Sequence, residues 1–190
     1  DLHSFPTRRS SDLHIDYRGF KRYWYSYCRC LSGGQISEIN MRLFNLFKKP
    51  LKIQDETFGE MTYSKFKDTS KNFFEGQGLF KPQQKTIGFT IDADESGPTN
   101  DQKDFYHSIE KKYEQIKGAM IPLLNKELKD WYGFTKIEDF DNEFELESID
   151  IPRMDKATVE WSITYVAKKI NHWATIEFVD FEPKHVIIDG

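Results

Sequence analysis

Cysteine is nearly absent from this sequence. Its 190 residues contain two, Cys28 and Cys30, and none from Met41 onward. The chain after Met41 therefore has no disulfide, no thiolate zinc site and no cysteine nucleophile. There is no run of 18 apolar residues, so no segment reads as a membrane-spanning helix. An excess of basic charge is also missing. With 27 Lys+Arg against 31 Asp+Glu, the formal net charge is −4. That argues against a nucleic-acid binder that works by neutralising phosphate. G-x-x-x-x-G-K-[ST], H-E-x-x-H and G-x-S-x-G do not occur, so the common phosphate-cradling, zinc-hydrolase and serine-nucleophile signatures are lacking. What is present is core material: 38% hydrophobic and 15% aromatic residues. A single domain of this length buries enough surface to need no staple.

The N-terminal stretch departs from the rest. Asp1–Leu13 resembles, residue for residue, one reading frame of a short-read sequencing adapter, and reads as an assembly artefact. His14–Asn40 has no apolar period, and Tyr17, Tyr23, Trp24, Tyr25 and Tyr27 cluster without pattern. It also lacks the apolar core and cleavage site of a signal peptide, its rival reading. Residues 1–40 are expected to be a non-native or disordered leader, and 41–190 one α+β domain. Two motifs in the leader mislead. Leu31-Ser-Gly-Gly-Gln35 spells the ABC-type ATPase signature, but no phosphate loop accompanies it. Cys28-Arg-Cys30 lacks a second ligand pair for zinc. From Met41 on there are 21 Lys+Arg and 27 Asp+Glu, a net charge of −6.

Met41–Pro50 is a basic, apolar lead-in, too short to anchor to a membrane surface alone. Alternation then predicts strands over Thr57–Phe66, Phe73–Lys81 and Thr86–Asp92, joined by turns too short for crossovers. An antiparallel meander follows from that. Gly76 and Gly78 in the second strand suggest a bulge or a close backbone approach. Gly97-Pro98-Thr99 ends the sheet, and Thr99 with Gln102 fits a capping box. Phe105, Ile109, Tyr113 and Ile116, then Ile121, Leu124, Leu128 and Trp131, form a core-facing stripe. Gly118 and Pro122 interrupt it, so a kinked helix or a helix pair is expected over roughly 100–132, closed by Gly133. Strands return at Glu143–Ile151, around Val159–Tyr165, at Trp173–Phe181 and at Val186–Ile188, with Pro152 and Pro183 at strand ends. The expected architecture is α+β: an antiparallel sheet of an N-terminal three-strand meander and three to four C-terminal strands, with the helices on one face.

Three groups of residues invite chemistry. Asp92, Asp94 and Glu95 follow the third strand and offer hard-cation or acid-base carboxylates, but no EF-hand spacing continues from them. A strand-to-helix turn is the plainer account. His107, His172 and His185 have no sequence-adjacent partner that marks a catalytic base. Trp131 and Trp161 fall on apolar periods and read as core, whereas Trp173 does not. Most distinctive is 138–150, with seven acids and no Lys or Arg. On a strand, Glu143, Glu145 and Glu147 line one face. Such a row is either a solvated edge or a surface for a basic partner.

Phe58-Gly59-Glu60, Phe74-Glu75-Gly76, the run Ile91-Asp-Ala-Asp-Glu-Ser-Gly-Pro-Thr99 with Gln102, and the closing Ile188-Asp189-Gly190 together resemble an uncharacterised bacterial small α+β domain family. The resemblance covers about residues 50–190. Phe74 stands where the pattern has Trp. Its motifs are structural, and the family is similar in size and composition to immunity proteins that neutralise toxins. The implied function is a non-enzymatic, cytoplasmic protein-interaction domain whose partner is a basic protein such as a toxin domain. Neither nucleic acid nor membrane is an expected partner, no cofactor is called for, and the oligomeric state is left open. The alternatives are an enzyme using Asp92, Asp94 or Glu95, and a structural or regulatory domain.

Overall fold

The chain divides after Lys48, and the computed structural model describes residues 50–133 and 136–189 within the second part. The expectations for 1–40 and for the lead-in through residue 49 lie outside the described residues, as does the side chain of Trp131. Eight strands and two helices follow in order: β1 (Lys52–Asp55), β2 (Gly59–Ser64), β3 (Phe73–Phe80), β4 (Lys85–Asp92), α1 (Asn100–Tyr132), α2 (Phe140–Glu143), β5 (Phe144–Ile151), β6 (Glu160–Ala167), β7 (His172–Val179) and β8 (Glu182–Asp189). All strands join one sheet in sequence order.

The mixed character expected from the sequence is present, with corrections. The N-terminal meander has four strands, because β1 pairs with β2 through Lys52↔Thr62 and Ile53↔Met61. The sheet is not wholly antiparallel, since β4 and β5 run parallel. The physical cause is α1, which fills the connection between them as a crossover must. That helix is a single 33-residue element with Pro122 inside it, not a helix pair. Pro122 is exposed, so water can satisfy the carbonyl one turn earlier that its missing N–H leaves free. Residue 143 belongs to the short α2 rather than to a strand, and Pro183 sits within β8 opposite Phe178, next to a register shift. β8 is an edge strand, where a proline is tolerated beside a register shift.

The helix stripe is buried as its period requires. Phe105, Ile109, Tyr113, Ile116, Leu124 and Leu128 all belong to the core, and Met120 rather than Ile121 fills the turn between. They face the alternate residues of every strand from β2 to β7. Tyr106 lies edge-on to Phe89 at 5.2 Å, and Tyr113 edge-on to Phe80 at 4.9 Å. Phe105 meets Trp161 at 5.6 Å, and Trp161 stacks on Phe178 at 4.5 Å. Each such ring contributes roughly 1.5–3 kcal/mol through burial. The Trp161 indole N–H donates to the carbonyl of Asp180.

The capping box at the start of α1 is formed. Thr99 Oγ1 accepts from the Gln102 N–H at 3.3 Å, and Gln102 Oε1 accepts from the Thr99 N–H at 3.0 Å. Gly133 closes the helix in the left-handed region at φ 68°. Thr99→Ala should therefore cost on the order of 1 kcal/mol, seen as a lowered denaturation midpoint. An unchanged midpoint would remove the assigned cap.

Candidate functional site

Two regions collect functional side chains, and the sequence anticipated one of them. The first is a cleft of about 250 Å³ lined by Asp92, Asp94, Thr99, Asp101, Arg153 and Asp155, among others. It lies at the carboxyl ends of the parallel pair β4 and β5, beside the start of α1. Gln102 builds its floor. This side chain is 1% exposed, and its Nε2 donates to the carbonyl of Asp92 at 2.9 Å and to that of Pro152 at 2.8 Å. One residue thus ties the helix to the ends of both parallel strands.

Of the three carboxylates expected to act together, Asp92 and Asp94 border this cleft. Glu95 does not line it, and its carboxylate meets the ammonium of Lys65 instead. Asp94 accepts from the hydroxyl and the N–H of Ser96. Those bonds, with the charge of Arg153, hold its carboxyl below the ordinary range. An acid held ionised in this way anchors a turn or attracts a cation, and is a poor proton donor near neutral pH. Among the described residues, no group of three His, Cys, Asp or Glu side chains is placed to hold a metal ion.

The expected row of Glu143, Glu145 and Glu147 is not assembled on one strand. Glu143 lies on α2, accepts from the N–H groups of Glu138 and Asp139, and pairs with Lys169 at 2.9 Å. Burial alone would raise its carboxyl, but those N–H donors and Lys169 outweigh it and bring it below the ordinary range. Glu145 stays exposed, 4.0 Å from Lys168. Glu147 falls at the register shift between Leu146 and Ser148, which takes it out of the alternation. The tight β6–β7 connection brings the two lysines to a stretch that has none of its own.

The second region is the sheet face opposite α1. Here the register aligns one polar residue per strand: Thr62, Glu75, Thr90, Asp150, Ser162 and Glu177, each paired with the next. Lys52 on β1 and His185 on β8 end the row. Ser162 Oγ donates to Asp150 Oδ2 at 2.8 Å. Glu75 is half-buried between Thr62 and Thr90, and among the described residues no cation stands against it. Burial raises its carboxyl above the ordinary range. A raised carboxyl favours the fold at low pH, and that contribution is lost as pH rises through the folded-state value. Glu75→Gln should accordingly be more stable than the parent at neutral pH and equal to it in acid. Melting curves at both pH values test this, and a loss of stability at neutral pH would show a hidden partner for the carboxylate.

Sequence reasoning missed this row because its members are scattered from residue 62 to 177 and meet only through the register. Each strand's alternation carried part of the signal. Among the described residues, no histidine lines the Asp92–Asp155 cleft. His107 lies on the exposed side of α1, 3.0 Å from Glu110, and His172 begins β7 beside the ring of Tyr132. Trp161 is core, as its period implied, while Trp173 is 38% exposed. Comparison with known protein families, characterised proteins and solved structures finds no match.

Proposed function

We propose that this chain is a non-enzymatic interaction domain of the cytoplasm that binds a basic protein partner, in the manner of an immunity-like protein neutralising a toxin. The observation that supports this reading is the polar row on the sheet face opposite α1. Three of its residues are acidic (Glu75, Asp150 and Glu177), and β3, β5, β6 and β7 contain no Lys or Arg. A fixed row of like charge favours encounter with a cationic partner and rejects acidic ones, more than it adds raw affinity. No described helix is long and apolar enough to cross a membrane.

The test is complex formation between the full chain and each protein encoded beside it, at low and moderate salt. A basic neighbour should bind, with an on-rate that falls as salt rises. The triple variant Glu75→Gln, Asp150→Asn, Glu177→Gln should slow association and flatten the salt dependence. The variant with Gln at Glu143, Glu145 and Glu147 probes the patch singled out by sequence. Equal on-rates in the first variant and reduced ones in the second would move the binding surface to the β5 end. The absence of any salt-sensitive complex would overturn the reading.

A second reading, an enzyme using Asp92 or Asp94, draws on the cleft itself. Ligands of open sheets with parallel strands bind outside the carboxyl ends of those strands. A hydrolase screen that finds an activity abolished in Asp94→Ala would favour it over the interaction domain.

A further inference from the structure

We propose that β8, the long edge of the sheet, pairs with β8 of a second copy of this chain, antiparallel about a two-fold axis at Ile187, so that one sheet runs through both copies. This goes beyond the partner reading above and does not depend on it.

Among the described residues the sheet has two edges, β1 and β8. An edge strand presents a row of N–H and C=O groups that another strand can pair with, and proteins guard such edges with short strands, charge, proline or bulges. β1 is guarded, being four residues long with Lys52 and Asp55 at its ends. β8 is eight residues long, and its guards crowd one end: Glu182, Pro183 and Lys184, with the register shift beside them. Beyond them lies His185-Val186-Ile187-Ile188-Asp189, a β-branched run with no guard inside it. Val186 and Ile188 pack against the core yet remain only half-buried, and so does Ile187 on the other face. The strand keeps apolar surface that its own fold leaves uncovered.

Symmetry fixes the register. Opposed residues of an antiparallel pair point to the same face. A two-fold axis between identical strands therefore passes where a residue faces its own counterpart. With the axis at Ile187, the two Ile187 side chains meet on the face away from α1. Val186 of each copy meets Ile188 of the other on the α1 side. His185 of each copy meets Asp189 of the other, so an imidazole faces a carboxylate twice. Opposite charges directly across a ladder stabilise it, and like charges destabilise it. His185 and Asp189 are both exposed, and among the described residues neither side chain is held in an ion pair. An axis at Val186 instead sets Asp189 against Pro183 and His185 against Ile187, which loses both charge pairs and a ladder donor.

Five paired residues make a small interface, so the dimer is weak and grows with concentration. Cys28→Ser with Cys30→Ser removes the thiols of the full chain. Sedimentation equilibrium of that chain should show monomer passing to dimer below about 1 mM. Ile187→Lys sets two ammonium groups against each other on the axis and should loosen the dimer by at least about tenfold. His185→Asp and Asp189→Lys should each loosen it roughly tenfold, and the two together should restore it, because the charges are then exchanged. In the same background, Ile187→Cys should form a disulfide-linked dimer on mild oxidation, and Val186→Cys should not. Opposed Cα atoms lie about 4.5–5.5 Å apart, within a disulfide's span. Melting curves of the variants confirm that they fold. A monomer at every concentration up to about 1 mM, a dimer indifferent to Ile187→Lys, a double variant no tighter than the single ones, or crosslinking through Val186→Cys instead would overturn the pairing.

Discussion

Gln102→Ala should lower the melting temperature by roughly 10 °C, the loss of about 4 kcal/mol in a domain of this size. Four bonds converge on this buried amide. Its Oε1 completes the capping box, its own N–H is held by Thr99, and its Nε2 serves two carbonyls, those of Asp92 and Pro152. Alanine takes this donor away from both carbonyls where β4 and β5 run parallel. Leaving a buried acceptor unpaired costs about 1–3 kcal/mol, more than the net worth of the bond itself. Gln102→Glu separates the two roles, because a carboxylate keeps the cap acceptor but has nothing to donate to the strands. It should be nearly as damaging as alanine, whereas Thr99→Ala, which touches the cap alone, should cost only a quarter as much by the same principles, or about 1 kcal/mol. Equal midpoints for Gln102→Ala and Thr99→Ala would show that the strand clamp contributes nothing.

Gly76→Ala should destabilise by about 3 kcal/mol, a large effect for one methyl group. The position lies on the helix-facing side of β3, opposite Met61 and Phe89. A Cβ there would stand 2.4 Å from the backbone oxygen of Glu60 and 2.8 Å from the side chain of Met61. Met61 is fully buried and cannot swing away, and moving Glu60 means separating β2 from β3. The neighbouring Gly78 is also tight, with Phe58 O at 2.9 Å and the Phe89 ring at 3.0 Å. Gly118 is the control, because nothing lies within 4 Å of its Cβ position. Chemical denaturation of the three Gly→Ala variants should rank them Gly76, Gly78, Gly118 from worst to best. If Gly76→Ala matches the parent, β2 and β3 are not held as close as the register implies.

The sequence by itself determined the local elements of this protein. Alternation placed β2, β3 and β4 to within a few residues, since one buried face imposes a period of two. Thr99 with Gln102 marked the start of α1, and Gly133 its end, because caps are decided by neighbouring residues. The apolar stripe of α1 named most of the core side of the helix, and Gly76 announced a close approach. Pro122 left a kinked helix or a helix pair open, and only the pair is ruled out, because whether a proline ends a helix depends on what surrounds it. Only the tertiary structure decided the rest. It made the sheet eight strands wide and turned β4 and β5 parallel, a consequence of where a long crossover helix delivers the chain. It dispersed Glu143, Glu145 and Glu147 by a helical turn and a register shift, and brought Lys168 and Lys169 to them from the next hairpin. It aligned Glu75, Asp150 and Glu177 across strands distant in sequence. Period and capping are local, and a linear sequence displays them. Register across a sheet is a long-range property, fixed by the packing of α1 against strands far apart in sequence.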